Sequence, residues 1–173
     1  EAEVLGGAPG HRSLVQHLVR HRRGEGGHLA IGLAGHLEGH DHLVVGTRDA
    51  GVYYSADGGI TWTPALRGPQ SPHPRALATG VGFADRVFTF AATSTGVFRS
   101  GDLGDTWDDA GLFGLDLSCI ALHPDYAARP NCYAGGTRDG VFQSLNGGLT
   151  WGSINHGLGN RHVSDVEVAL SLE

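Results

Sequence analysis

The sequence predicts an all-β protein: a β-propeller of four-stranded antiparallel blades, with about three complete blades and part of another in the chain. An eight-residue segment occurs three times, as "SADGGITW" at 55–62, "SGDLGDTW" at 100–107 and "SLNGGLTW" at 144–151. We call these segments the first, second and third octets. Their opening serines are 45 and then 44 residues apart, a spacing typical of propeller blades. The chain also holds 29 glycines and only 7 prolines, which favours many short strands joined by tight turns.

The strands of each unit can be identified in order along the chain. A first strand is predicted at 28–33, at 75–83 and at 117–124. A second and a third strand then surround a glycine turn, in "HLVVGTRDAGVYYS", "RVFTFAATSTGVFRS" and "NCYAGGTRDGVFQS", because apolar and aromatic residues alternate there around the glycine. The tryptophan that ends each octet leads into a fourth strand. A helical repeat is excluded because no unit contains ten residues with a 3.6-residue period.

The repeat divides the chain into an irregular segment and a propeller region. Residues 1–27 fit no repeat, and we expect either a short amphipathic helix or the displaced outer strand of a neighbouring blade there. The propeller region, 28–173, is predicted to hold blades at about 28–72, 73–116 and 117–161 and the first strand of another at 162–170. Since a propeller ring typically needs four to eight blades, we expect another copy of the chain or a longer chain to complete it.

The octets have the composition of a self-contained turn between the third and fourth strands. The structural positions are Ser55, Asp57, Gly59 and Trp62, then Ser100, Asp102, Gly104 and Trp107, and finally Ser144, Asn146, Gly148 and Trp151. We expect the acid to accept backbone hydrogen bonds, the glycine to adopt a conformation that side chains resist, and the tryptophan to pack between blades. Asn146 keeps an acceptor for this turn but cannot act as a general acid, so the octets are predicted to be structural.

The octets resemble the Asp-box pattern, Ser-x-Asp-x-Gly-x-Thr-Trp, of the bacterial-neuraminidase-repeat (BNR) families. The resemblance covers about residues 28–170. It implies a propeller similar to those of sialidases, xyloglucanases, sortilin-like receptors and photosystem II assembly factors, which share a blade but not a function. It also favours an extracellular or cell-envelope location.

The turns between the second and third strands are the predicted ligand-binding positions, because the families that the chain resembles function mostly on that face. Two of these turns carry an Arg-Asp pair, Arg48 with Asp49 and Arg138 with Asp139. An arginine binds carboxylates or anionic sugars in a bidentate manner, and an aspartate accepts sugar hydroxyls. The alternative is a tight turn made by Asp and Gly with a solvated arginine.

The sequence favours a non-catalytic role over a glycosidase activity. Most glycosidases need two carboxyl groups about 5 to 9.5 Å apart, and nothing in the sequence pairs the carboxylates of that face, Asp49, Asp116 and Asp139. The Arg-Ile-Pro motif that a sialidase resemblance implies does not occur. We therefore expect a non-catalytic binding or assembly module for a carbohydrate or protein ligand. The alternative is a fragment of a glycoside hydrolase or a sialidase-like enzyme whose other blades are missing.

Composition excludes several other classes. The net charge of −6, without a basic stripe, argues against nucleic-acid binding, and no apolar run reaches the roughly 20 residues of a membrane span. No cofactor is expected. His36, His40, Asp41 and His42 are predicted to lie in a flexible loop between the first and second strands, as a polar segment with incidental affinity rather than a metal site.

Two further features leave alternatives open. Cys119 and Cys132 are expected in neighbouring antiparallel strands, either bonded across the strands if they face each other or buried as free thiols. The chain also contains no methionine. We therefore expect residue 1 not to be a translation start.

Overall fold

A computed structural model of the chain describes residues 30–37, 40–48, 50–66 and 74–169. Residues 1–27 and Asp49, which are subjects of predictions above, lie outside the described residues. The described part forms three separate four-stranded antiparallel sheets, and it contains one short 3-10 turn at Phe83–Asp85 and no α-helix. The all-β prediction is therefore confirmed for this part of the chain.

Each sheet is a meander of four consecutive strands. The first sheet contains β1 (Ala30–Leu37), β2 (His40–Thr47), β3 (Gly51–Ser55) and β4 (Thr63–Pro64). The second contains β5 (Pro74–Val81), β6 (Val87–Thr93), β7 (Gly96–Ser100) and β8 (Asp108–Asp109). The third contains β9 (Leu117–Leu122), β10 (Cys132–Gly136), β11 (Gly140–Ser144) and β12 (Gly152–Ser153).

The sheets pack face to face, and their first strands are neighbours. β5 lies beside β1 on one side and beside β9 on the other. One apolar cluster between the first and second sheets includes Val44, Leu77 and Trp107. Another, between the second and third sheets, includes Phe90, Ile120 and Tyr126. Stacked antiparallel meanders with adjacent first strands make a propeller-like fold.

The strands also separate two faces of this stack. On one face, each octet contacts either the start of the second strand or the loop before it: Gly58 N donates to Asp41 O at 3.1 Å, and Gly147 N donates to Pro130 O at 2.8 Å. On the other face, the turn between the second and third strands contacts the link between sheets: Gly114 N donates to Thr95 O at 2.9 Å. We call this second face the turn face.

The histidine-rich segment differs from its prediction. His36 lies in β1, and His40, Asp41 and His42 lie in β2, where His36 pairs with Asp41 in the ladder. The loop prediction was therefore wrong for these four residues. The strands extend further than expected because the ladder continues past a register shift between Leu33 and Gly35 as far as the pair Leu37 and His40.

The segment after β12 contains no regular strand over residues 154–169. Val163 lies beside the third sheet, where its N–H donates to Gly136 O at 3.1 Å and its carbonyl accepts a hydrogen bond from the Ser118 hydroxyl. The strand predicted from residue 162 is not formed over the described residues. Its assignment to a further blade stays a prediction.

The two cysteines are unbonded and buried. Cys119 pairs with Gly135 in the ladder and Cys132 pairs with Leu122, so the two side chains lie on opposite faces of the third sheet. A disulfide would require the backbone to move, which leaves the buried-thiol alternative. Burial raises the pKa of Cys132 to about 12, and a protonated thiol is a poor nucleophile.

Candidate functional site

The serine of each octet organises its turn. Ser55 Oγ accepts a hydrogen bond from Gly59 N at 2.8 Å and donates to Asp57 Oδ1 at 2.7 Å. The same two bonds occur in the second octet at 2.9 and 2.8 Å and in the third at 2.9 and 2.9 Å. All three serines are buried, so each hydroxyl both closes the turn and is itself satisfied.

The acid or amide at the third position joins the two ends of the octet. Asp57 Oδ1 accepts from Thr61 N at 2.9 Å, and Asp57 Oδ2 accepts from the Thr61 hydroxyl at 2.5 Å. Asp102 makes the same contacts with Thr106. In the third octet, Asn146 Oδ1 accepts from Thr150 N at 2.9 Å, while Asn146 Nδ2 donates to the Thr150 hydroxyl at 2.8 Å.

These contacts shift the titration of the two acids. The side-chain and backbone hydrogen bonds from Thr61 lower the pKa of Asp57. Burial opposes the shift at Asp102, but hydrogen bonds from Thr106 and Ser100 outweigh it and lower the pKa there as well. A carboxyl group with a lowered pKa stays ionised near neutral pH and is unsuited to donate a proton. Asp57 and Asp102 are therefore suited to hold the turn rather than to act as acids.

The glycine and the tryptophan of an octet contact the preceding sheet. A Cβ added to Gly104, which has a φ of +97°, would lie 2.8 Å from Val44 Cγ2. Trp107 is 6% exposed and packs in the cluster with Val44 and Val52. Trp62, in contrast, is 41% exposed, because no sheet precedes the first among the described residues. Tryptophan thus packs between sheets in the second octet and, with Trp151 partly buried against the cluster between the second and third sheets, in the third octet.

The predicted Arg-Asp pairs do not occupy equivalent positions on the turn face. Thr47 pairs with Gly51 across the first turn, whereas Gly136, not Thr137, pairs with Gly140 across the third. Arg48 is therefore the first residue of its turn, while Arg138 is the second. Both arginines are exposed, and the two copies of "TRD" are displaced by one residue relative to each other.

The threonine before each pair also has a different role in the two turns. Thr47 Oγ1 donates to Gly51 O at 2.9 Å within its own turn. Thr137 Oγ1 donates instead to Asp116 Oδ2 at 3.1 Å, and Thr137 N donates to Asp116 O at 2.8 Å. The third turn is therefore bonded to the link between the second and third sheets.

A charged pair that sequence reasoning missed lies at this link. Arg75 Nη2 is 2.8 Å from Asp116 Oδ1, and each side chain is about two-fifths exposed. The pair joins β5 to the residue before β9. The available signal was the opposite charge at the starts of consecutive first strands, because those strands are neighbours in a propeller. Among the predicted carboxylates, Asp116 is thus placed against an arginine rather than a second carboxylate.

Other features of the described residues are limited. Asp139 is half-buried, and its carbonyl accepts from Asn155 Nδ2 at 2.8 Å. Across the ranges that the structure describes, no three His, Cys, Asp or Glu side chains are grouped to hold a metal ion. Nor do these ranges include a helix long and apolar enough to cross a membrane.

Comparison with known proteins shows the fold but no family. No protein-family model matches the chain, and no curated protein matches it in sequence. Among solved structures, it is similar to an ancestral GH74 enzyme, with a TM-score of 0.54 and 20% identity. The match covers 64% of this chain and 16% of that enzyme. The chain therefore spans a small part of that enzyme's length, and the similarity supports a propeller-like fold.

Proposed function

We propose that the chain is an Asp-box propeller segment that acts as a non-catalytic binding or assembly module. Its turn face, with Arg48, Asp49, Arg138 and Asp139, would bind a carbohydrate or a protein. The observation that carries this proposal is the use of the octet side chains: Asp57, Asp102 and Asn146 direct their oxygens into their own turns. The octets are therefore the repeated structural part of each sheet, and the turns on the turn face are the surface that varies between sheets.

The charges on the turn face support binding rather than hydrolysis. A glycosidase acid needs a raised pKa and a second carboxyl group nearby. Asp116 instead contacts the guanidinium of Arg75 and the hydroxyl of Thr137, so an arginine rather than a second carboxyl group lies against it. The exposed Arg138 supplies donors for a carboxylate or for sugar oxygens.

The alternative is a segment of a glycoside hydrolase. The similarity to an ancestral GH74 enzyme favours it, since the rest of such an enzyme could supply further catalytic groups. In that case Asp116 or Asp139 would contribute to a site shared with other blades. The two functions differ in one measurable property, which is turnover.

The test combines a glycan array with an assay for release of reducing sugar from xyloglucan and sialoside substrates. We expect binding without turnover. The double variant Arg138→Ala, Asp139→Asn should weaken that binding about tenfold, the loss of one bidentate contact. Arg129→Ala is the matched control, because Arg129 is also exposed but lies in the loop on the opposite face.

Two results would contradict the proposal. Turnover that is lost in Asp116→Asn would favour the hydrolase. Equal affinities of the double variant and the control would place binding elsewhere. A protein ligand would show as pull-down of a partner with no signal on the array, and the same pair of variants would locate it.

A further inference from the structure

The third octet contains the only Asn-Gly pair of the chain, Asn146 followed by Gly147. In such a pair, the glycine nitrogen can attack the side-chain carbonyl carbon of the asparagine, because glycine has no Cβ to shield its nitrogen. The first octet has an acid before its glycine, and the second has Leu103 in place of the glycine. The third octet is therefore the one in which this reaction can replace an amide by an acid.

The conformation of the turn explains why a glycine follows the asparagine. Gly147 has a φ of +69°, and the residues at the same position of the other octets, Gly58 and Leu103, have φ values of +74° and +63°. This left-handed conformation is free of strain only for glycine. The reactive pair is thus a consequence of the turn that the octet forms.

The folded octet holds the side chain of Asn146 at both of its polar atoms. Asn146 Oδ1 accepts from Ser144 Oγ at 2.9 Å and from Thr150 N at 2.9 Å. Asn146 Nδ2, the leaving nitrogen, donates to Thr150 Oγ1 at 2.8 Å. Asn146 is nevertheless exposed, so water reaches it and the protection comes from these bonds rather than from burial.

The peptide of Gly147 is held from two other parts of the protein. Its N–H donates to Pro130 O at 2.8 Å, and its carbonyl accepts from Arg99 Nη1 at 3.0 Å. An attack on Asn146 requires the nitrogen to lose its proton and to turn towards the side chain. The first bond directs the N–H towards a carbonyl instead, and the second opposes rotation of the peptide.

We propose that Asn146 is a site of spontaneous deamidation, and that Arg99 and the carbonyl of Pro130 limit its rate by holding the Gly147 peptide. In this reaction, Gly147 N forms a bond to Asn146 Cγ, and Nδ2 leaves as ammonia with the proton of the glycine amide. Water then opens the cyclic imide to aspartate or isoaspartate. No oxidant or reductant takes part, and the site is independent of the proposed function.

The two products have different consequences for the octet. Aspartate would give the third octet the acid of the first, where Asp57 Oδ1 accepts from Ser55 Oγ and Thr61 N as Asn146 Oδ1 does from its own partners. Isoaspartate lengthens the main chain just before Gly148, whose added Cβ would lie 2.8 Å from Phe90 Cε1. The isoaspartate product should therefore loosen the contact between the second and third sheets.

The test is incubation of the full 173-residue chain in mildly alkaline buffer, followed by mass mapping that separates the aspartate and isoaspartate peptides. The Asn146→Asp variant supplies the reference for the aspartate product. We expect the folded chain to deamidate at least about tenfold more slowly than the chain unfolded in guanidinium chloride. The reason is that reaction through an opened octet follows the small population of that open form.

The role of Arg99 is tested by a pair of matched variants. Arg99→Ala should speed deamidation of the folded chain about three- to tenfold, the effect of losing one hydrogen bond. Arg86→Ala is the control and should leave the rate unchanged. Both guanidinium groups lie 5.6 Å from the centre of the Phe88 ring, but Arg86 donates to Gly101 O in the second octet.

Two further variants separate opening of the third octet from a general loss of stability. Thr150→Val removes the acceptor of Asn146 Nδ2 and should also speed the reaction. Ser100→Ala lowers stability through the second octet, where Ser100 Oγ accepts from Gly104 N, and should leave the rate unchanged while the protein stays folded. Circular dichroism checks the folding of each variant.

Three outcomes would overturn the proposal. The folded chain could deamidate as fast as the unfolded chain, Arg99→Ala could react no faster than Arg86→Ala, or Ser100→Ala could speed the reaction as much as Arg99→Ala. Ligand binding on the turn face is measured separately and does not involve the octets. A failure here therefore leaves the proposed function standing, and deamidation without any ligand binding would support this proposal alone.

Discussion

The first and second octets form the same turn in two different environments. Ser55 and Ser100 make matching hydrogen bonds to a glycine N–H and a carboxylate, with lengths that differ by about 0.1 Å. Trp62 is 41% exposed, while Trp107 is 6% exposed against the preceding sheet. The turn is therefore a local structure, whereas the contribution of its tryptophan depends on a neighbouring sheet.

This difference separates two roles within eight residues. The Ser, Asp and Thr side chains satisfy backbone groups of their own turn, which needs no other part of the protein. The Gly and Trp positions instead allow one sheet to approach another. Matched substitutions in the two octets should therefore lower the free energy of unfolding by different amounts at Gly and Trp and by similar amounts at Ser.

The largest difference is expected at tryptophan. Trp107→Ala should lower the free energy of unfolding by about 3–5 kcal/mol, because it leaves a cavity between the first two sheets. Trp62→Ala should cost only about 1 kcal/mol, a typical value for a partly exposed site. Chemical denaturation at a low protein concentration measures the unfolding free energy of both variants. Equal losses would mean that the tryptophan acts within its own turn.

The three sheets and their octets could be predicted from the sequence because they are built from local contacts that repeat along the chain. Strand, turn and octet recur at nearly constant spacing, and the Ser, Asp and Thr side chains of an octet bond to groups of their own turn. That is why three four-stranded antiparallel sheets, with an octet between the third and fourth strands of each, could be predicted before the structure.

The turn face could not be predicted in the same way. The two "TRD" copies align in sequence, yet the ladder pairs Thr47 with Gly51 and Gly136 with Gly140. This one-residue displacement depends on cross-strand pairing, which a single sequence does not specify. The contact of Arg75 with Asp116 likewise depends on the packing of separate sheets.

A second difference is expected at the glycine two residues after the acid. Gly59 and Gly104 both have positive φ values, +91° and +97°, so alanine should cost about 1–2 kcal/mol at either position. Gly104→Ala should cost about 1–3 kcal/mol more, because its Cβ would overlap Val44 at 2.8 Å. At Gly59 the nearest side-chain atom is 3.4 Å away.

The glycine pair is compared by thermal and chemical unfolding of the two variants. The double variant Gly104→Ala, Val44→Ala is the control, since the smaller side chain removes the overlap and should recover part of the loss specific to Gly104. No recovery would show that backbone conformation, rather than contact with the first sheet, explains the requirement for glycine.

The serine positions should behave alike. Ser55→Ala and Ser100→Ala each remove the acceptor of a glycine N–H, and an unpaired buried donor costs about 1–3 kcal/mol. We expect the two losses to agree within about 0.5 kcal/mol, the usual limit for independent sites. A much larger loss at Ser100 would show that its turn also depends on the sheet it packs against.

The smallest effect is expected from acid titration, and it compares the third octet with the other two. The pKa values of Asp57 and Asp102 are lowered in the folded protein, so their ionised forms stabilise it. A group with a lowered folded pKa contributes its full stability above its unfolded pKa, about 4, and loses it as the pH falls towards the folded value. Stability should therefore decline below about pH 4, and the stability of the double variant Asp57→Asn, Asp102→Asn should decline less steeply.

Asn146→Asp should make the decline in stability steeper, because Thr150 would then donate to a carboxylate as Thr61 does. Denaturation midpoints at a series of pH values measure these slopes. If the slope of Asn146→Asp equals that of the wild type, the hydrogen bonds of the turn do not set the titration of its acid.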